Sequence, residues 1–118
     1  MVAAEQDAQA DYLASSLYQR VHGIITGRRG KLPPPQEGYL QSLPLHERAG
    51  VEDFLAAAII GGPETVKAGL QKLAEETQAD EFIMVNDIYD VDLRLDCLTQ
   101  VANAMQCQSR TAPELVAA

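Results

Sequence analysis

The feature that most constrains the fold of this 118-residue chain is a short apolar run near residue 84. Residues 78–90 read QADEFIMVNDIYD, with Phe-Ile-Met-Val at positions 82–85. A continuous apolar run between a polar helix end and an Asn-Asp pair predicts a strand buried on both faces. Such a strand, over Glu81–Val85, cannot stand alone, because its backbone N–H and C=O groups need partners on each side. The rest of a sheet therefore has to come from elsewhere.

Three helices are predicted from apolar residues that recur at spacings of three and four. They cover residues 5–26, 63–78 and 90–105, with Gly27 closing the first and Asp90 capping the third. Their apolar stripes are, in chain order, Leu13, Leu17, Val21, Ile24 and Ile25; Val66, Leu70, Leu73 and Ala74; and Val91, Leu95, Leu98, Ala102 and Met105. Each stripe needs a surface to cover.

The segments between the helices are less regular. Residues 1–4 match only the end of a strand, and residues 28–50 form a long, lid-like loop whose three consecutive prolines favour an extended path. Residues 51–60, VEDFLAAAII, are a short helix, a short strand or one followed by the other. We therefore expect a single domain over residues 1–106, followed by a flexible tail over 107–118.

The charge balance excludes two classes of partner. The chain carries 9 Lys and Arg against 17 Asp and Glu, a net charge of −8. Nucleic acids and anionic membrane surfaces are bound by clustered Lys and Arg, so we expect neither as a partner. The short basic run Arg28-Arg29-Gly30-Lys31 is typical of a solvated turn.

The sequence predicts neither a membrane span nor export. No apolar stretch approaches the ~20 residues of a spanning helix, and no basic-then-apolar leader begins the chain. Cys97 and Cys107, if carried by one helix, would lie about 15 Å apart, too far for a disulfide. We therefore expect reduced thiols and a cytoplasmic location.

Four stretches resemble successive pieces of one family. They are VAAEQDAQADYLASSLYQ, GRRGKLPPP, GGPETVKAGLQKLAEETQADEFIMV and YDVDLRLDCLTQVANAM. In order and spacing they resemble the bacterial-luciferase-like, flavin-dependent monooxygenases, in particular the single-component oxidoreductase branch. The resemblance extends over residues 2–105, which is nearly the whole chain.

This resemblance implies an α/β fold. The family forms an eight-stranded TIM-type barrel, which typically takes about 250 residues. This chain would be a C-terminal fragment of such a barrel, mostly helical with one central buried strand and one or two short strand pieces. Residues 1–4 would end the seventh strand, residues 81–85 would be the eighth, and the family's mobile active-site region would lie between them. The missing strands would belong to another polypeptide, or the chain would associate with itself.

Four residues are candidates for the functional face. Asn86 and Asp87 follow the predicted eighth strand, and Gly61 and Gly62 precede a helix, so all four would lie where barrel active sites form. They would contact flavin only in a completed barrel. The alternatives are ordinary turn residues for the Asn-Asp pair and an ordinary helix start for the glycines, since Glu64 places a negative charge there.

Three hypotheses about function follow. The first is the C-terminal segment of a flavin-dependent monooxygenase, inactive without the missing strands, in which FMN or reduced flavin is the implied cofactor. The second is a non-catalytic remnant that forms a helical homodimer as an interaction module. The third, a stand-alone flavoprotein, is disfavoured because oxygen chemistry at flavin needs an enclosed pocket. The partners would be a second copy or a complementary barrel chain.

No catalytic or metal-binding residue is predicted. His22 and His46 have no His, Cys or carboxylate at metal-ligand spacing. Cys97 lies in the middle of a predicted helix without a neighbouring base, so a small buried hydrophobe is its expected role.

Overall fold

Two very short parallel strands lie among the helices in the computed structural model, which describes residues 1–107. In chain order the elements are β1 (Val2–Ala3), α1 (Asp7–Ile25), α2 (Tyr39–Ser42), α3 (Leu45–Phe54), β2 (Ile60–Gly61), α4 (Pro63–Thr77) and α5 (Val91–Ala104). In the two-stranded sheet, Val2 is paired with Ile60 and Ala3 with Gly61. The fold is therefore α/β and mostly helical.

Helix α1 is the central element. Its buried residues are Ala10, Leu13, Ala14, Ser15, Ser16, Leu17, Tyr18 and Val21. The buried run over 13–18 extends around the whole helix, because β1, β2, α2 and α3 all pack against α1. The helix ends as predicted, with Gly27 at a positive φ of 75° and its N–H donating to the carbonyl of Ile24.

The predicted strand at residues 81–85 is absent, which corrects the expectation of a central buried strand. This segment has no regular secondary structure, and the side chains of Ile83 and Val85 are 95% and 67% exposed. Within residues 1–107, its backbone gains one hydrogen bond at residues 82–85, from the amino nitrogen of Met1 to the carbonyl of Val85 at 2.8 Å. An apolar run becomes a strand only where a ladder of partners exists, and here none is formed.

The segment predicted as an irregular loop, residues 28–50, is partly helical. Its second half contains α2 and the first six residues of α3, whereas residues 28–38 remain irregular. Tyr39, Leu40 and Leu43 pack against the core, and this tertiary contact stabilises a turn of helix that has weak periodicity of its own. Residues 51–60 follow the third alternative, a helix and then a strand.

The last two helices agree with the predicted boundaries to within one residue. The carboxylate of Asp90 caps α5 by accepting a hydrogen bond from the Leu93 N–H at 3.0 Å. Gln78 ends α4 in the left-handed conformation. The predicted tail over 107–118 lies, from residue 108 onward, outside the described residues. Among the helices that the structure describes, none is long and apolar enough to span a membrane.

Candidate functional site

The junction between β2 and α4 holds two of the predicted site residues, Gly61 and Gly62. The Gly62 N–H donates to Oδ1 of Asp7 at 2.6 Å, and the Thr65 hydroxyl donates to the same oxygen at 2.8 Å. The N–H of Gly62 and then the hydroxyl of Thr65 hold the pKa of the Asp7 carboxyl below its ordinary value. A carboxylate from α1 therefore already binds the amino end of α4, where an external anion would otherwise bind.

Position 61 has room for glycine but not for a larger residue. A Cβ at this position would lie 2.5 Å from Cγ2 of Thr65 and 2.8 Å from Oδ1 of Asp7. Any side chain would push α4 away from the start of α1. Gly61 and Gly62 therefore allow the amino ends of α1 and α4 to pack closely.

The other two predicted site residues, Asn86 and Asp87, have polar partners of their own. The Asn86 side-chain amide donates to Sγ of Cys97 at 3.2 Å, and the Ala3 N–H donates to the same sulfur at 3.2 Å. Burial raises the pKa of the Cys97 thiol, so this sulfur is an unreactive core group. Asp87 pairs with Arg20 of α1 at 3.2 Å.

The predicted residues lie close together at Gly61 and Asn86, because Ala3 is paired with Gly61 and both the Ala3 N–H and the Asn86 amide donate to the sulfur of Cys97. Gly62 contacts Asp7 at the start of α1, whereas Asp87 contacts Arg20 near its end. Arg20 follows Asp7 by 13 positions, so the Cα atoms of these two α1 residues lie roughly 20 Å apart, and Gly62 and Asp87 contact different ends of the helix.

An apolar groove lies beside the unpaired segment 82–85. Its volume is about 210 Å³, and it is lined by Met1, Ala57, Ala58, Ile59, Leu70, Leu73 and Phe82–Val85. The groove runs between α4 and a stretch of backbone with free hydrogen-bonding groups, the combination that receives an added strand. Sequence reasoning missed it because its walls come from four separate parts of the chain.

A polar cluster that the sequence did not predict lies near the end of α1. The hydroxyl of Tyr39 is 2.7 Å from Nδ1 of His22, and Nε2 of His22 is 3.6 Å from Oε1 of Glu47, too long for a hydrogen bond. Burial, followed by the charge of Glu47, raises the pKa of Tyr39. The Tyr39 hydroxyl is therefore a neutral group, and the cluster depends on the unpredicted helices α2 and α3.

Metal ligands do not converge in the described part of the chain. No group of three or more His, Cys, Asp or Glu side chains there could hold a metal ion.

The chain is similar to known proteins in sequence and in fold. No protein-family model matches it. It is 43% identical over 86 residues to the uncharacterized protein YvbT of Bacillus subtilis, covering 73% of this chain and 25% of that protein. It is 33% identical over 95 residues to a luciferase-like monooxygenase of Escherichia coli K12, covering 80% of this chain and 28% of that protein.

Among solved structures, the crystal structure of apo-MsnO8 shares the fold. The TM-score is 0.69 at 24% sequence identity, and the match covers 92% of this chain and 34% of that one. The chain thus spans about a quarter to a third of the proteins that it matches. Over most of its own length, the chain is related to the luciferase-like monooxygenases.

Proposed function

We propose that this chain is the C-terminal segment of a flavin-dependent, luciferase-like monooxygenase whose flavin pocket forms only when further barrel strands are added. The observation that carries the proposal is the apolar groove beside residues 82–85, which combines an unpaired strand-like segment with uncovered apolar side chains. This is the surface on which neighbouring barrel strands would pack. Relatedness to luciferase-like monooxygenases supplies the reaction class.

The predicted site residues and the apolar groove do not by themselves fit a flavin. The Gly62 N–H is already bonded to the carboxylate of Asp7, and the Asn86 amide is bonded to the sulfur of Cys97. The groove of about 210 Å³ is smaller than the ~300–1,000 Å³ of ordinary ligand pockets. When bound in a completed barrel, reduced flavin mononucleotide would supply the oxygen chemistry, and we expect the lone chain not to bind it.

A second candidate function is an interaction module that dimerises. Val91, Leu95 and Leu98 form an apolar stripe on α5 that is mostly exposed, and Ile83 and Val85 add exposed apolar surface nearby in sequence. Uncovered apolar surface of this kind marks an interface. A two-fold homodimer is the commonest closed assembly that would cover it.

Flavin titration tests the proposal. Isothermal titration of the lone chain with oxidised flavin mononucleotide should give no measurable binding at micromolar concentrations. In a chimera, this chain's matched residues replace the 95-residue stretch of the Escherichia coli relative, and the unmodified relative is the control. The chimera should fold and match the control in flavin binding.

Two results would contradict the proposal. Micromolar binding by the lone chain of both flavin mononucleotide and riboflavin, which lacks the phosphate, would favour a stand-alone flavoprotein. A folded chimera that loses the flavin binding of the control would show that this segment does not complete the barrel, and the interaction module would then be favoured.

A further inference from the structure

Three basic residues of this acidic chain, Arg20, Arg28 and Lys31, line one cleft. The cleft lies at the carboxyl end of α1, has a volume of about 300 Å³ and includes Gln19, Arg20, His22, Arg28, Lys31 and Tyr39 in its lining. We call it the basic cleft. Three of the nine Lys and Arg residues of a chain with net charge −8 line it. Its lining shares no residue with the apolar groove.

The charges of the basic cleft are largely available to a ligand. Within residues 1–107, Arg28 and Lys31 form no ion pair. Arg20 is paired with Asp87 at 3.2 Å, but the pair is open to solvent and therefore exchanges readily with another anion. Among the ion pairs of residues 1–107, Glu47 pairs with His22 at 3.6 Å and with neither of the two loop cations.

The loop that carries these cations is held against α1 by specific contacts. The Arg28 N–H donates to the carbonyl of Gly23 at 2.6 Å, and the Gln19 side chain donates to the carbonyl of Pro34 at 2.9 Å. A Cβ on Gly23 would lie 2.7 Å from the Arg28 carbonyl oxygen, so only glycine permits this close return of the chain. The backbone on both sides of Lys31 is thereby tied to the helix.

We propose that the basic cleft binds a small molecule carrying a phosphate monoester. Arg28 and Arg20 offer forked donors that match phosphate oxygens, and Lys31 adds a compact positive charge. The partial negative charge at the carboxyl end of α1 opposes an anion, so binding depends on the loop cations. The cleft's volume of about 300 Å³ suits a small phosphorylated molecule, and the net charge of −8 repels long polyanions such as RNA.

Titration of the full chain with glycerol 3-phosphate, followed by backbone amide NMR shifts, tests this inference without flavin. The amides of Gly23, Thr26 and Gly30 should shift and saturate at millimolar ligand, and glycerol should leave them unchanged. Arg28→Gln should weaken binding roughly fivefold or more, because it removes a charge-assisted fork from the cleft. Arg29→Gln is the matched control, since Arg29 has the same charge one position away but does not line the cleft.

Several outcomes would overturn the inference. An equal loss with Arg29→Gln would indicate general charge attraction, and an equal response to glycerol would exclude phosphate recognition. Tighter binding of an RNA oligonucleotide or of vesicles containing anionic lipid would assign the cations to a macromolecular surface instead.

Discussion

Helices α1 and α5 have similar apolar patterns in the sequence, but the apolar residues of α1 are largely buried in the structure and those of α5 are largely exposed. Both carry apolar residues at spacings of three and four. In α1, residues 13–18 are all buried. In α5 the buried residues are Cys97 and Val101, whereas Val91, Leu95 and Leu98 are 61%, 57% and 52% exposed.

The difference comes from the neighbours of each helix. Four elements, β1, β2, α2 and α3, pack around α1, whereas α5 packs mainly on α4 and β1. A periodic stripe gives the direction of an apolar face, but its burial requires another element to cover it. Among the described residues, the exposed stripe of α5 and the exposed run at residues 82–85 are therefore two apolar surfaces open to a partner.

A charge placed in the apolar stripe of α1 and one placed in that of α5 should give the largest difference in stability. Val21→Glu in α1 places an unpaired carboxylate in the core, at a cost of several kcal/mol against the ~5–15 kcal/mol stability of an ordinary domain. The variant should lose its cooperative thermal transition in circular dichroism. Leu98→Glu on α5 is the matched control and should keep the native spectrum. Unfolding of the control would show that the α5 stripe is core.

Replacing each of two adjacent serines of α1 should give a smaller difference in the free energy of unfolding. The Ser15 hydroxyl accepts a hydrogen bond from the Gln36 N–H at 2.7 Å, whereas the buried Ser16 hydroxyl has no partner among the described residues. Ser15→Ala should lower the free energy of unfolding by about 1 kcal/mol, and Ser16→Ala should change it by less than about 0.5 kcal/mol. Urea denaturation measures both. Equal losses would mean that the Gln36 contact does not hold the loop to α1.

The smallest effect is expected at the contact that joins α1 to α4. The pKa of Asp7 is held below its ordinary value, so its charge stabilises the fold above about pH 4. That contribution is lost as the pH falls through the lowered pKa. Asp7→Asn should therefore be less stable than wild type at pH 6, with the difference shrinking toward pH 2 in urea titrations. A difference independent of pH would show that the carboxylate charge plays no part.

The sequence predicted the elements that depend on local signals. Helices α1, α4 and α5 have strong periodicity, and Gly27 and Asp90 mark their ends, so their boundaries are right to within two residues. The expected short strand at residues 1–4 is confirmed as β1. These features are encoded within a few positions of where they occur.

Features that depend on distant partners were not predictable. Residues 82–85 have the composition of a buried strand, but a strand also needs neighbours, and within residues 1–107 the backbone there gains a single hydrogen bond. Helix α2 forms because Tyr39 and Leu40 pack against the core, and the sequence pattern around these two residues does not predict a helix. The pairing of Asp7 with Gly62 joins residues 55 positions apart, so the role of this aspartate was missed.

Sedimentation analysis tests the central claim that the chain's exposed apolar surface is an interface. At micromolar concentration the wild-type chain should sediment as a homodimer, at twice its mass of 12.8 kDa. Met84→Glu places a charge on the exposed segment and should give a folded monomer, because Met84 lies at the groove and not in the core. A wild-type chain that remains a stable, folded monomer at these concentrations would contradict the claim.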